Sequence, residues 1–242
     1  MTRILLGRQL EQATEGMDVE ITGAELHYLK NVRRHSAGDT VLVVDRSGSC
    51  FNAQVLEIGS DAAIVHLLQE VMNGAAALPV HILAAVPREK ILDDVVRKLS
   101  ELGVSKFTPL ICERSSVVPG PQRLERWQRI AEQSMRQCRR RTELTISLPI
   151  KFDDALECIE EPHRFILDPD GNVAGGALLK RRIEGAVAMM IGPEGGFTPR
   201  ELTASAGALF QPVQFGNSIM RMETAILVAS VTCVAMLGGY DG

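Results

Sequence analysis

The chain has no apolar run long enough to span a bilayer, no C-x-x-C pair and no surplus of basic charge. Its longest uncharged stretch, Thr224 to Tyr240, is 17 residues and includes Ser230, Thr232, Gly238 and Gly239. A spanning helix needs about 20 apolar residues, so this segment is expected to be a buried helix, without membrane contact. Ile4-Leu5-Leu6, near the start, is too short for a signal-peptide core. The five cysteines (50, 112, 138, 158 and 233) are scattered and odd in number, which argues for free thiols in a reducing cytoplasm. The five histidines are equally dispersed, and no spacing of ligands predicts a metal. Aromatics are few, 7 Phe, 2 Tyr and 1 Trp, and do not interleave with basic residues, which argues against a stacking platform for single-stranded RNA. Neither G-x-G-x-x-G nor a P-loop signature occurs.

What is present has the balance of a folded globular protein, 45% hydrophobic and 23% charged. The first seventy or so residues read as β. Thr40 to Asp45 and Cys50 to Val55 are strands about the turn Arg46-Ser47-Gly48-Ser49, and Ala62 to Leu67 is a third, a spacing that suggests a small barrel. Asn73 to Pro79, small residues ending in a breaker, reads as a linker. Beyond it the texture becomes α/β. Val80 to Val86, Phe165 to Leu167, Ala186 to Ile191 and Val213 to Phe215 are apolar strand-length runs. Lys90 to Leu102 carries helical periodicity and ends at Gly103. Such alternation predicts a parallel sheet. Two domains are expected, 1–72 and 73–242.

The net charge of −4 speaks against a nucleic-acid partner until it is divided. Residues 1–72 hold 6 basic and 10 acidic side chains, and the remainder holds 20 of each. Within the neutral part, Arg114 to Arg141 contains eight arginines against Glu125 and Glu132. Helical periodicity sets Leu124, Trp127, Ile130, Ala131, Met135 and Cys138 on one face and Arg126, Arg129, Arg136 and Arg140 on another. A solvated helix face is the plain reading of such a stripe. A stripe of guanidinium groups with so few acids fits a polyanion better, because each binds phosphate bidentately.

Two further segments carry chemistry. Ile191-Gly192-Pro193-Glu194-Gly195-Gly196-Phe197-Thr198 makes a sharp turn after an apolar strand, the position at which open α/β sheets bind ligands. Phe215 to Ala225 repeats the pattern of strand, glycine loop and helix. Its helix is apolar on every side, which predicts burial against its own domain or in a homodimer. Arg221 and Glu223, at the start of that helix, form either a capping ion pair or a reactive pair.

These segments closely resemble the ribosomal RNA small-subunit methyltransferase E family, of the SPOUT class. The resemblance rests on Gly192 to Phe197 and Ile219 to Ala225. It extends to Arg97 to Val104, Glu113 to Val117, Glu132 to Arg136, and His27 to Arg34 followed by Gly38-Asp39. It implies an N-terminal PUA-like β-barrel that binds RNA and a C-terminal α/β domain with a deep trefoil knot. The implied cofactor is S-adenosyl-L-methionine, and the implied reaction is methylation of a uridine N3 in 16S ribosomal RNA. Three loops are then expected to cradle the donor, around Leu167-Asp168, through Ile191, Gly192, Pro193, Glu194, Gly195 and Gly196, and through Phe215, Gly216, Ile219, Met220 and Thr224. The chain departs from the family at Ser218, usually Arg, at Phe215, usually Leu, and at Arg139 to Arg141, where a Val-Pro pair is common.

A uridine imide reacts only when its N3 proton is removed or its anion stabilised. Arg221 is the expected cation and Glu223 the expected base, while Arg33, Arg34, Arg114, Arg126 and Arg136 are expected to hold the RNA backbone. The target must also be unpaired or extruded. Competing expectations are a SPOUT enzyme acting on another RNA, a ribosome-assembly factor without turnover, and a nucleotide-binding enzyme using Gly192 to Gly196.

Overall fold

The computed structural model describes residues 1–6, 13–45, 47–71, 77–87, 91–216 and 218–240. Arg46 of the expected hairpin turn, Asn73 to Ala76 of the expected linker with the 72/73 boundary, Lys90 and Asn217 lie outside these residues. The chain divides into two units, Met1–Ala76 with Arg139–Thr142, and Ala77–Cys138 with Glu143–Gly242.

The first unit contains β1 (Arg3–Leu5), β2 (Asp18–Ile21), α1 (Gly23–His27), a π-helical turn (Tyr28–Val32), β3 (Thr40–Val44), β4 (Cys50–Ile58) and β5 (Ala63–Glu70). They form one five-stranded sheet of order β1-β3-β4-β5-β2, in which β1 lies parallel to β3 and the other pairings are antiparallel. Alternate residues of β2 and β5 turn inward, and Ile4, Leu29, Val43, Phe51 and Leu67 join the core. The turn between β3 and β4 is held by Asp45, whose Oδ1 accepts from Ser49 N at 2.9 Å and Ser47 Oγ at 2.7 Å. Gly48 there has φ of 88°, and a Cβ would meet Thr142 Cγ2 at 2.9 Å. Sequence periodicity located β3, β4 and β5 but not β1 or β2, which are three and four residues long.

The second unit contains β6 (Leu78–Ala84), α2 (Leu92–Leu102), β7 (Val104–Ile111), α3 (Pro121–Cys138), β8 (Thr145–Ile146), β9 (Ile150–Lys151) and α4 (Phe152–Cys158). It continues with β10 (His163–Leu167), β11 (Val173–Ala174), α5 (Gly175–Leu178), β12 (Val187–Ile191), α6 (Pro199–Gly207), β13 (Gln211–Gln214) and α7 (Met222–Met236). The sheet runs β11-β13-β10-β12-β6-β7-β8, with β9 also on β7, and every pairing is parallel. All five residues of β12 are buried, as expected where helices cover both faces. Trp127 is fully buried, edge-on to Phe107 at 6.0 Å, with its indole N–H donated to Asp93 Oδ1 at 3.0 Å. Gly103 ends α2 in the left-handed region, φ 95°.

Three expectations need correction. Leu78 and Pro79 belong to β6, so the linker does not reach them. Proline is tolerated there because pairing with β12 starts only at Val80. Phe215 lies beyond β13, which ends at Gln214. Arg140 is not on the helical stripe. Helix α3 stops at Cys138, Arg139 takes φ 58°, and Arg140 is buried with the segment that packs into the first unit. No described helix is long and apolar enough to cross a membrane.

Candidate active site

The order of the sheet assembles the site. Leu167 of β10 pairs with Val213 of β13, and Ile166 pairs with Met190 of β12, so three parallel strands end side by side. The loops they release are Asp168 onward, Gly192 onward and Phe215 onward, segments far apart in sequence. Ligands gather at such carboxyl ends because backbone N–H and C=O groups there have left the ladder.

Between the first and third of these loops lies a recess lined by Leu167, Asp168, Pro169, Gln214, Phe215, Gly216, Ser218, Ile219, Met220 and Ala225. The structure thus brings together Leu167, Phe215, Gly216, Ile219 and Met220 of the expected donor residues. Ile191 to Gly196 and Thr224 are outside the lining. Asp168, expected beside Leu167, lines it too, and Pro169, Gln214 and Ala225 join it without having been singled out as site residues. The signal for them was their position, at or just beyond a strand end or one turn into α7. Gly216 has φ of 70°, a conformation that lets the backbone bend around the recess. Ile219 stands 91% exposed at its rim.

The glycine loop after β12 is anchored on its far side. Arg114 Nη1 donates to Gly195 O at 2.6 Å. Thr198 caps α6, accepting from Glu201 N at 3.3 Å, and Glu201 Oε2 accepts from Thr198 N at 2.8 Å, a reciprocal capping box. The fully buried Glu201 also accepts from Glu113 N at 2.8 Å, so one carboxylate joins the loop after β7 to the loop after β12. Arg200 bridges Asp153 at 3.0 Å and Glu113 at 3.6 Å, and these carboxylates hold its guanidinium above the usual arginine range. Cys112, in the same corner, is buried, and burial with the Glu201 charge beside it pushes its thiol up to about 12. It is therefore a neutral packing group.

Arg221 is the N-cap residue of α7, with an exposed side chain, and Glu223 is half-buried in the first turn. No ion pair joins them among the described residues. The other expected arginines differ in setting. Arg126 is bound to Asp93 at 2.6 Å, an acid supplied by α2 that the stripe on α3 did not reveal. Arg136 is half-buried, and burial lowers its pKa. Arg33 and Arg34 are both exposed. No cluster of three His, Cys, Asp or Glu side chains could hold a metal ion among the described residues.

Comparison with known proteins gives this sheet end a context. A family model described as an RNA methyltransferase domain matches residues 75–233, and one described as an RNA methyltransferase PUA domain matches residues 21–68. An α/β RNA methyltransferase with an N-terminal PUA-like domain is the class these features define. A ribosomal RNA small subunit methyltransferase E from Synechocystis is 31% identical over 97% of this chain and 77% of its own length. The Bacillus subtilis protein of the same name is 25% identical over 95% and 94%. The chain belongs to the ribosomal RNA small subunit methyltransferase E family. Among solved structures, the enzyme of that name from Neisseria gonorrhoeae, bound to S-adenosyl methionine, superposes with a TM-score of 0.85 at 28% identity over 98% of both chains. A methyltransferase from Legionella pneumophila in complex with the same cofactor gives 0.82 at 25% identity, covering 97% of this chain and 98% of that one.

Proposed function

We propose that this protein transfers a methyl group from S-adenosyl-L-methionine to N3 of a specific uridine in 16S ribosomal RNA of the small subunit. The observation that carries the reading is the recess between the loops that follow β10 and β13, beside the end of β12, in a chain of this family. The lining fits the donor. Leu167, Phe215, Ile219, Met220 and Ala225 offer apolar surface to a flat base, and Asp168 offers negative charge to a cationic ligand. When bound, S-adenosylmethionine supplies an electrophilic methyl group on a sulfonium.

The chain's own residues then have three tasks. The loops after β10 and β13 hold the donor in one orientation, and orientation alone can supply several kcal/mol. Arg221, exposed at the head of α7, stabilises the uridine imide as its charge develops, and Glu223 takes the N3 proton. Ile191 to Gly196 closes the far side of the donor, held in place by Arg114 and Glu201. Arg33 and Arg34 grip the RNA backbone, with Arg114, Arg126 and Arg136 as further contacts.

Residues 1–72 serve as the RNA-binding domain, and 73–242 as the catalytic domain threaded in a deep trefoil knot. The exposed Val231 and half-buried Leu227 and Val228 on the apolar α7 support a homodimer. The protein works in the cytoplasm, where ribosomal RNA is. Mapping modified nucleosides by mass spectrometry in ribosomal RNA from a strain lacking the gene should show loss of one N3-methyluridine. Restoration of that mark by Arg221→Ala at the wild-type rate would remove Arg221 from the mechanism.

A further inference from the structure

The segment that carries Arg33 and Arg34 has an unusual backbone. Helix α1 runs into a π-helical turn at Tyr28–Val32, a form concentrated at functional sites. Two residues later Arg34 stands at φ 55°, in the left-handed region that a non-glycine residue rarely enters. The π turn closes with Arg33 N donating to Tyr28 O at 2.9 Å, and His35 N reaches back to Leu29 O at 3.1 Å.

The side chains explain how this conformation is held. Thr2 is 4% exposed, and its hydroxyl is the meeting point of both neighbours of Arg34. Arg33 Nε donates to Thr2 Oγ1 at 3.1 Å, and His35 Nε2 lies 2.6 Å from the same oxygen. His35 Nδ1 is 3.0 Å from Asp39 Oδ2, which also accepts from Ser36 N at 2.9 Å. The polarity of the chain follows from the donors available. Asp39 can only accept, so Nδ1 carries the ring proton. Nε2 and the Thr2 hydroxyl then share the second hydrogen bond of the ring, and the Thr2 oxygen also takes the Arg33 N–H.

The residues before and after Arg34 are therefore pinned to one buried oxygen, and Arg34 between them projects outward. Its guanidinium has no partner among the described residues. We infer that Thr2, acting through Arg33 and His35, is a positioning residue that presents the Arg34 guanidinium to a phosphate of the RNA. This rests on the reading of the protein as an RNA methyltransferase whose first unit grips the substrate. A pre-set arginine loses less freedom on binding than one on a mobile loop, so the clamp acts on RNA affinity and leaves the methyl-transfer step alone.

The test uses the full chain and an in vitro transcript of small-subunit ribosomal RNA, with dissociation constants measured across a salt series. Arg34→Ala should weaken binding about tenfold and reduce the slope of log K against log salt by about one phosphate contact. Thr2→Val, which removes only the hydroxyl, should weaken binding several-fold, and Thr2→Ser should restore it. In the Arg34→Ala background Thr2→Val should cost clearly less than it does alone, the remainder acting through Arg33, and S-adenosylmethionine affinity should be unchanged throughout. Should Thr2→Val not fold, His35→Leu breaks the same chain from the solvent side and is read the same way. If Arg34→Ala binds RNA like the wild type, the RNA-gripping role of the first unit is wrong. If Arg34→Ala is weak but Thr2→Val binds normally, or the two losses add, the clamp is wrong and the gripping role stands.

Discussion

Gly175 offers a direct test of how the donor recess is shaped. It opens α5, is buried, and faces the ring of Phe215 across the sheet edge. A methyl group there would overlap Cδ1 and Cε1 of Phe215 and meet Cγ at 3.1 Å. The ring has to move, and the recess it lines is open space it can enter. Overpacking of this kind costs about 1–3 kcal/mol. If the ring escapes into the recess, that cost falls on donor binding, which is roughly a 5–150-fold loss of affinity. Isothermal titration of Gly175→Ala with S-adenosylmethionine measures it. A smaller side chain at position 215 supplies the control. Gly175→Ala with Phe215→Leu should regain most of the affinity, because the smaller side chain clears the new methyl group. Wild-type affinity in Gly175→Ala, or a double variant no better than the single, would refute the assignment of Phe215 to the wall.

Three other expectations concern stability. Leu209 is 77% exposed at φ 65° after α6, with Phe210 N bonded to Ser205 O at 2.9 Å as in a Schellman ending, so Leu209→Gly should stabilise by about 1 kcal/mol, seen as a melting temperature higher by about 2–4 °C. Thr198→Ala removes the cap of α6 and should cost about 1–2 kcal/mol in urea unfolding, with Thr198→Ser close to wild type. Glu161 bears on acid stability. Burial pushes its carboxyl up, but the His81 Nδ1 contact at 2.7 Å and the Lys106 charge outweigh burial and hold it below its ordinary 4.5. A carboxylate depressed on folding stabilises the protein above 4.5, and that stabilisation is lost as pH falls through the folded value. Glu161→Gln should therefore lower stability at pH 7 and flatten the decline between pH 5 and 3, as followed by chemical denaturation.

The two short strands β1 and β2 escaped the periodicity because three or four residues cannot establish a period of two. Their inward side chains acquire meaning only through partners 39 and 46 positions away, as in Ile4 opposite Val43 and Val19 opposite Val65. The arginine stripe was legible on α3 up to Cys138 and misled beyond it. A helix end is decided by local backbone competition, here Arg139 in the left-handed region, and not by the charge pattern. Nor could the stripe reveal that Asp93, on another helix, neutralises Arg126.

The parallel α/β texture of the larger part, the glycine turns and the concentration of basic charge were legible in the sequence, because each is a local property of side-chain volume, backbone freedom or charge. The sequence also identified the segments that mark the family. The tertiary structure decided which loops meet. That β13 lies beside β10, and β10 beside β12, is a matter of strand order, and strand order depends on chain crossings that no local pattern encodes. It likewise decided that Thr2, at the far end of the chain from α7, holds the arginine loop of the first unit. A buried hydroxyl has to find partners, and the fold supplied Arg33 and His35.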